Sequence, residues 1–215
     1  MTITRKHIER AINEARDPWA VSNGVLYALC RKHPDHGDLK ASTAKMLLIG
    51  RAYAASAERG RSAGSSANAS GDEFYTRDLP MALKRSSIDT RLKPLRDERR
   101  PTVENAGLAL AVHADLTSLL QELTGLEKRS LASKYLHFHV PQVFCLFDGR
   151  AERALRRISP VRPRATTLRE MGGDPAYARF LLRALAVMSE VRERFGVSLS
   201  PRQLDRVLLA LDAGA

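Results

Sequence analysis

Lys128 and Asp148 stand twenty residues apart in the chain. An amine that has lost its proton attacks electron-poor carbon, and a carboxylate stabilises positive charge that builds on a neighbouring atom. Lys128 follows Gly125, a hinge between two apolar helical runs, and Asp148 ends a linker that Pro141 begins, Pro141-Gln-Val-Phe-Cys-Leu-Phe-Asp148. Delivered into one cleft, the two have the layout of a site that excises a base from DNA. The carboxylate would face the oxocarbenium character that develops at C1′ as the base departs. The amine, its pKa lowered by burial or by neighbouring Arg129, would attack C1′, form a Schiff base and permit strand cleavage. Lys134 competes for that role from six residues further on, about 120° away around a helix. Asp148 is also placed to cap the helix that follows it, a duty compatible with chemistry.

The elements that must hold these groups are helical. Apolar residues recur at helical spacing from end to end and strand-like alternation is almost absent, so the expected class is all-α. Ile8, Ile12 and Ala15 mark a first helix, 19–30 a second and 40–59 a third. The stretch 60–72 is rich in Gly, Ser and Ala and reads as a flexible loop, a tether or a mobile flap. Helices are expected over 72–84, with Pro80 permitting a kink, and over 86–96. Thr102 is the N-cap of a long run that Gly125 ends. A helix from near Glu127 stops before Pro141, and Asp148 caps 149–158. A Pro/Arg-rich connector leads to Gly173, and helices over 175–195 and 200–211 close the chain, the last with Ser200 as cap and Pro201 in its first turn.

Composition narrows the partners. The chain has 215 residues with 35 Lys plus Arg against 24 Asp plus Glu, a net charge of +11 that favours polyanions, nucleic acid first. The cations cluster, from Lys84 to Arg100 and from Arg150 to Arg164. The cysteines, Cys30 and Cys145, have no CxxC spacing, so a disulfide framework, a structural zinc and a four-cysteine cluster are not expected. A reducing, cytoplasmic setting fits. No apolar run approaches a membrane span, and the polar start Met-Thr-Ile-Thr-Arg-Lys lacks a signal-peptide core. Neither a metal nor a cofactor is implied.

The segment Leu123-Thr-Gly-Leu-Glu-Lys128-Arg-Ser-Leu-Ala-Ser-Lys134-Tyr-Leu, with Pro141 and Asp148 after it, resembles the helix-hairpin-helix DNA glycosylases, above all the archaeal 8-oxoguanine glycosylase branch. The likeness runs from about Asn105 to Leu211, where Phe195-Gly-Val-Ser-Leu-Ser-Pro-Arg-Gln-Leu204-Asp205-Arg-Val-Leu-Leu209 looks like that branch's closing helix. It implies a two-lobed helical bundle, lobes roughly 1–101 and 102–215, with a hairpin element and a cleft between them. It also implies Lys128 as catalytic lysine, from its spacing to Pro141, Asp148 as catalytic aspartate, and Asp205 as a contact to the base. The sequence departs from the pattern at Glu127, where the hairpin's second glycine is usual, at Leu146, where proline is common, and at Leu209, where the branch places a stacking tryptophan.

An extruded base needs a pocket that grips its faces and edge. Asp205 is the candidate for the edge, and Trp19, Tyr53, Phe74 and Tyr75 are candidates for stacking, although such aromatics also make ordinary cores. Gly125, Arg129, Arg150 and Arg153 are candidate contacts to DNA, as is one of His137 and His139. Those two histidines, two apart on a helix, face apart and make poor metal geometry. Ser130 and Ser133 have no constellation that would activate a nucleophile. The expected activity is excision of 8-oxoguanine or, given Leu209, of a bulkier base such as the glucosylated hydroxymethylcytosine of phage DNA, a defence role. The expected partner is duplex DNA carrying that base, bound by a monomer. A non-catalytic DNA-binding helical module and an all-helical interaction protein are the rival readings.

Overall fold

Helix boundaries follow from local chemistry at several points. Thr102 and Asn105 form a reciprocal capping box at the start of a 22-residue helix, and Gly125, at φ 73°, ends it by donating its N–H to Gln121 O over 2.7 Å. Ser200 and Gln203 form a second such box, with Pro201 at the first helical position. Asp148 and Asp174 each accept two backbone N–H groups at the start of a helix.

The computed structural model describes residues 2–13, 19–52 and 73–214. They are all-α: α1 (Arg5–Ile12), α2 (Ala20–Lys32), α3 (Leu39–Leu47), α4 (Leu79–Arg85), α5 (Ile88–Leu92), α6 (Val103–Thr124), α7 (Arg129–His139), α8 (Gly149–Ile158), α9 (Ala165–Met171), α10 (Pro175–Phe195) and α11 (Pro201–Asp212). Two predicted helices are modified. The third continues from α3 as a π-helical turn over Leu48–Ala52, and the helix expected over 72–84 begins as another, Phe74–Asp78, before α4. Inside the Pro/Arg-rich connector lies α9, which the composition hid. Ala15, the expected end of the third helix over 53–59 with Tyr53, and the loop 60–72 lie outside the described residues.

Each of the two hydrophobic clusters draws on residues from both sides of residue 101. The first gathers Leu26, Met46, Ile49, Phe74, Leu83 and Phe144 around Val112, Leu116 and Leu120 of α6 and Leu136 of α7. The second joins Ile3 and Ile8 to Leu155, Phe180, Leu204 and Leu208, with Ala106 and Leu110 of α6. One helix, α6, therefore serves both clusters, and the amino-terminal α1 packs on the carboxyl-terminal α11. Arg206 of α11 fastens that contact by donating to the carbonyls of Arg10 at 3.3 Å and Asn13 at 2.7 Å.

Candidate active site

The segment between α7 and α8 doubles back along α7. After Pro141 a turn donates the N–H groups of Val143 and Phe144 to Val140 O, and the chain then runs past α7 in reverse. His137 Nδ1 meets Phe144 O at 2.8 Å. One helical turn earlier, the fully buried Ser133 accepts the Phe147 N–H at 3.0 Å while its hydroxyl donates to Ser130 O at 3.0 Å. From the other side Tyr177 of α10 donates to Cys145 O at 3.0 Å. These bonds fix the backbone of residues 144–147 against α7 and so set where Asp148 emerges.

Asp148 Oδ1 accepts the N–H groups of Arg150 and Ala151 at 3.0 and 2.8 Å, capping α8. The carboxylate makes no ion pair with a described residue, and Oδ2 makes no hydrogen bond with one. Lys134, one residue after Ser133, is half-buried. Burial pulls its ammonium below the ordinary lysine range, the carboxylates of Asp148 and Asp205 oppose that shift, and Arg202 adds to it. Lys134, Asp148 and Asp205 thus lie near enough to act on one another electrostatically.

Asp205, nearly buried on α11, lies 3.6 Å from Arg202 Nη1. Arg202 Nε donates to the Tyr27 hydroxyl at 3.2 Å, and its guanidinium lies over the Phe138 ring at 5.4 Å. Tyr27 in turn meets His137 Nε2 at 2.7 Å. With His137 donating from Nδ1 to Phe144 O, its Nε2 must be the acceptor, so the tyrosine donates and a neutral imidazole results. Burial holds the His137 pKa well below the usual range, consistent with that tautomer. The chain Phe144, His137, Tyr27, Arg202, Asp205 ties the returning segment to α2, α7 and α11.

The other predicted site residues fall in different places. Lys128 precedes the first residue of α7 and, like Lys134, is half-buried. His137 is a fully buried organiser rather than a DNA contact. His139 is stacked on His36, with ring centroids 5.0 Å apart, and packs on Tyr135; burial again depresses its pKa. Phe74 and Tyr75 are buried within the first cluster, where Tyr75 fills the space beside Gly50, so they are core. Trp19 is 53 % exposed at the start of α2. Gly125 is exposed at the turn between α6 and α7. Arg129 is engaged within the protein, by Asp174 and, at 2.5 Å, by Glu127. Arg150 and Arg153 both reach Asp212, at 3.2 and 3.0 Å, and Arg157 joins them at 3.8 Å.

A groove of about 970 Å³ opens elsewhere, between the start of α6, the connector after α8, α10 and the start of α11. Leu182, Leu185 and Met188 give it an apolar floor and Arg162, Arg164 and Arg192 a basic rim. None of Lys128, Lys134, Asp148 and Asp205 lines it. Sequence reasoning missed Arg202 and Tyr27, whose roles arise only when α2, α7 and α11 meet. Ser133 carried one signal, a small hydroxyl residue amid the apolar positions of α7. Among the described residues, no group of three or more His, Cys, Asp or Glu side chains could hold a metal ion. No helix of the described residues is long and apolar enough to cross a membrane. Comparison with protein-family models, with curated proteins and with solved structures gives no match to the chain.

Proposed function

We propose that the protein is a DNA glycosylase that takes a modified base out of the duplex and breaks its N-glycosidic bond, with Lys134 and Asp148 as the reacting pair. The observation that carries this reading is the desolvated Lys134 amine in the field of the Asp148 and Asp205 carboxylates. A lysine drawn below its ordinary pKa holds a larger neutral fraction near pH 7, which is what attack on C1′ requires. Asp148 keeps Oδ2 without a hydrogen bond to a described residue, available to the positive charge that grows on the sugar. The net charge of +11 supplies attraction to the DNA backbone. The turn at Gly125 between α6 and α7, a glycine-centred helical hairpin in this reading, presents its exposed backbone to a phosphate. Asp205 suits the edge of the base. The substrate is 8-oxoguanine or a bulkier base such as glucosylated hydroxymethylcytosine.

The test is incubation with duplexes carrying each base, followed by borohydride reduction and mapping of any adduct. An abasic product together with a covalent adduct at Lys134, lost in Lys134→Gln and kept in Lys128→Gln, is expected. An adduct at Lys128 would reassign the nucleophile. One observation favours a rival, a non-catalytic DNA-binding helical module: the 970 Å³ groove holds none of these four residues. Salt-dependent binding with no abasic product on any duplex would select that rival.

A further inference from the structure

The arginines of 150–164 fall into two electrostatic classes. Arg150, Arg153 and Arg157 converge on Asp212, which neutralises part of their charge. Arg156 and Arg162 have no such partner: among the described residues neither makes a hydrogen bond or an ion pair with its side chain. Across from them, on α10, stand Arg179 and Arg183, one helical turn apart and therefore on the same face. Packing of α8 on α10 brings Arg156 toward that face, and Arg162, in the connector after α8, shares the groove wall with Leu182 and Leu185 of α10.

Arg183 is the informative member. It is 7 % exposed, its Nε is buried without a hydrogen-bond partner, and it forms no ion pair with a described residue. A buried guanidinium normally comes with a carboxylate or a carbonyl, because desolvating an unsatisfied charge is costly. Here burial, then Arg179, Arg162 and Arg156, push its pKa down, and Glu152 alone among the acidic groups opposes them. Four guanidinium groups with one carboxylate among them leave an excess of positive charge at a surface where three of the arginines are exposed and the Nε of Arg183 is cut off from water. An anion with several acceptor oxygens would satisfy the orphaned donors, and the planar fork of arginine matches phosphate geometry.

We infer that Arg156, Arg162, Arg179 and Arg183 form a binding site for a phosphate group of the DNA backbone, separate from the Lys134 cluster. The choice of DNA rests on the glycosylase reading and its rival alike, since both take duplex DNA as the partner. The site grips the strand at the α8 and α10 face, and its arginines set register without reading sequence.

The experiment measures fluorescence anisotropy of a labelled duplex from 50 to 200 mM salt with the full chain. Arg162→Ala/Arg179→Ala, both at exposed positions, is expected to weaken binding about tenfold and to lower the slope of log affinity against log salt by about 1. Arg31→Ala/Lys32→Ala, an equal change of charge on exposed residues of α2, is expected to have a much smaller effect. Equal losses in the two double variants would show a diffuse field and overturn the site. Arg183→Met keeps volume and removes the uncompensated charge, so its melting temperature is expected to hold or rise while DNA affinity falls. A lower melting temperature with unchanged affinity would make Arg183 a packing residue and overturn the proposal. Inorganic pyrophosphate is the second probe. If it raises the melting temperature of the wild type while both arginine variants bind DNA normally, the anion is a small phosphorylated compound and the DNA assignment falls. Base excision is scored separately: absent excision with the arginine effects intact removes the glycosylase reading and leaves this site standing.

Discussion

Ser133→Ala tests how the candidate site is held. Ser133 is fully buried, and its hydroxyl serves as acceptor for the Phe147 N–H and donor to Ser130 O, both at 3.0 Å. The methyl of alanine fills nearly the same volume, so little cavity forms. The loss is polar: the Phe147 N–H is left without a partner, and an unsatisfied buried donor costs about 1–3 kcal/mol. That range is a substantial part of the roughly 5–15 kcal/mol that holds a domain together. Urea denaturation followed by circular dichroism should show the midpoint falling at constant slope, because native and unfolded surface areas hardly change. Hydrogen exchange adds a local readout, in which the Phe147 amide should lose protection more than its neighbours do. The control is Ser189→Ala, which removes an exposed bond of 2.9 Å to Glu193 and should cost less than about 0.5 kcal/mol. If Ser133→Ala costs no more than the control and the Phe147 amide stays protected, the hydroxyl does not hold Asp148 in place, and the account of how the site is built fails.

Three further predictions concern buried polar groups and one constrained glycine. His113, stacked on Tyr177 with centroids 3.7 Å apart, has its pKa pushed by burial down to about 4 against 6.5. Its folded pKa is depressed, so the unfolded chain binds the extra proton and stability falls as pH drops through 6.5 toward 4. About 2 kcal/mol should be lost by pH 5, and His113→Phe should flatten that part of the stability profile measured by urea. Tyr27→Phe removes the hydroxyl that bridges His137 Nε2 and Arg202, at 2.7 and 3.2 Å. A loss of about 1–3 kcal/mol is expected in denaturant titrations, and a change below that range would show the bridge to be dispensable. Gly173→Ala places a methyl 3.0 Å from Leu110 O at a backbone φ of +72°. Left-handed strain and overpacking together should cost about 2–4 kcal/mol, seen as a clear drop in melting temperature.

Much of the architecture was legible because it is written in local chemistry. Capping residues and stop signals at Thr102, Gly125, Asp148, Pro175 and Ser200 bound helices that appear at or within a residue of the expected limits. Their hydrogen bonds are made within the segment itself. The π-helical turns at Leu48–Ala52 and Phe74–Asp78 were not legible: there the buried Ile49, Phe74 and Tyr75 belong to one core cluster, and periodicity alone does not mark where a helix widens. The site shows the same division. Asp148 was placed as cap and candidate carboxylate from its position alone. The partial burial of Lys134 near Asp148 and Asp205 was not legible from spacing, since Asp205 arrives from α11 some seventy residues later. His137 is a candidate DNA contact from sequence because nothing local announces that Tyr27 and Phe144 will enclose it. Arg183 looked like any charged helix residue until α8 packed against its face.

The seam between α1 and α11 joins residues nearly two hundred positions apart, with Arg206 reaching Arg10 and Asn13. A helical protein usually folds through near neighbours and quickly, whereas this closure must await a search over nearly two hundred residues. On the ribosome, α1 is made long before α11 and lacks that surface to settle on until α11 has followed it. Ile3 and Ile8 are therefore left wet until α11 is made, and slowing elongation should lengthen that exposed interval and increase aggregation of the nascent product.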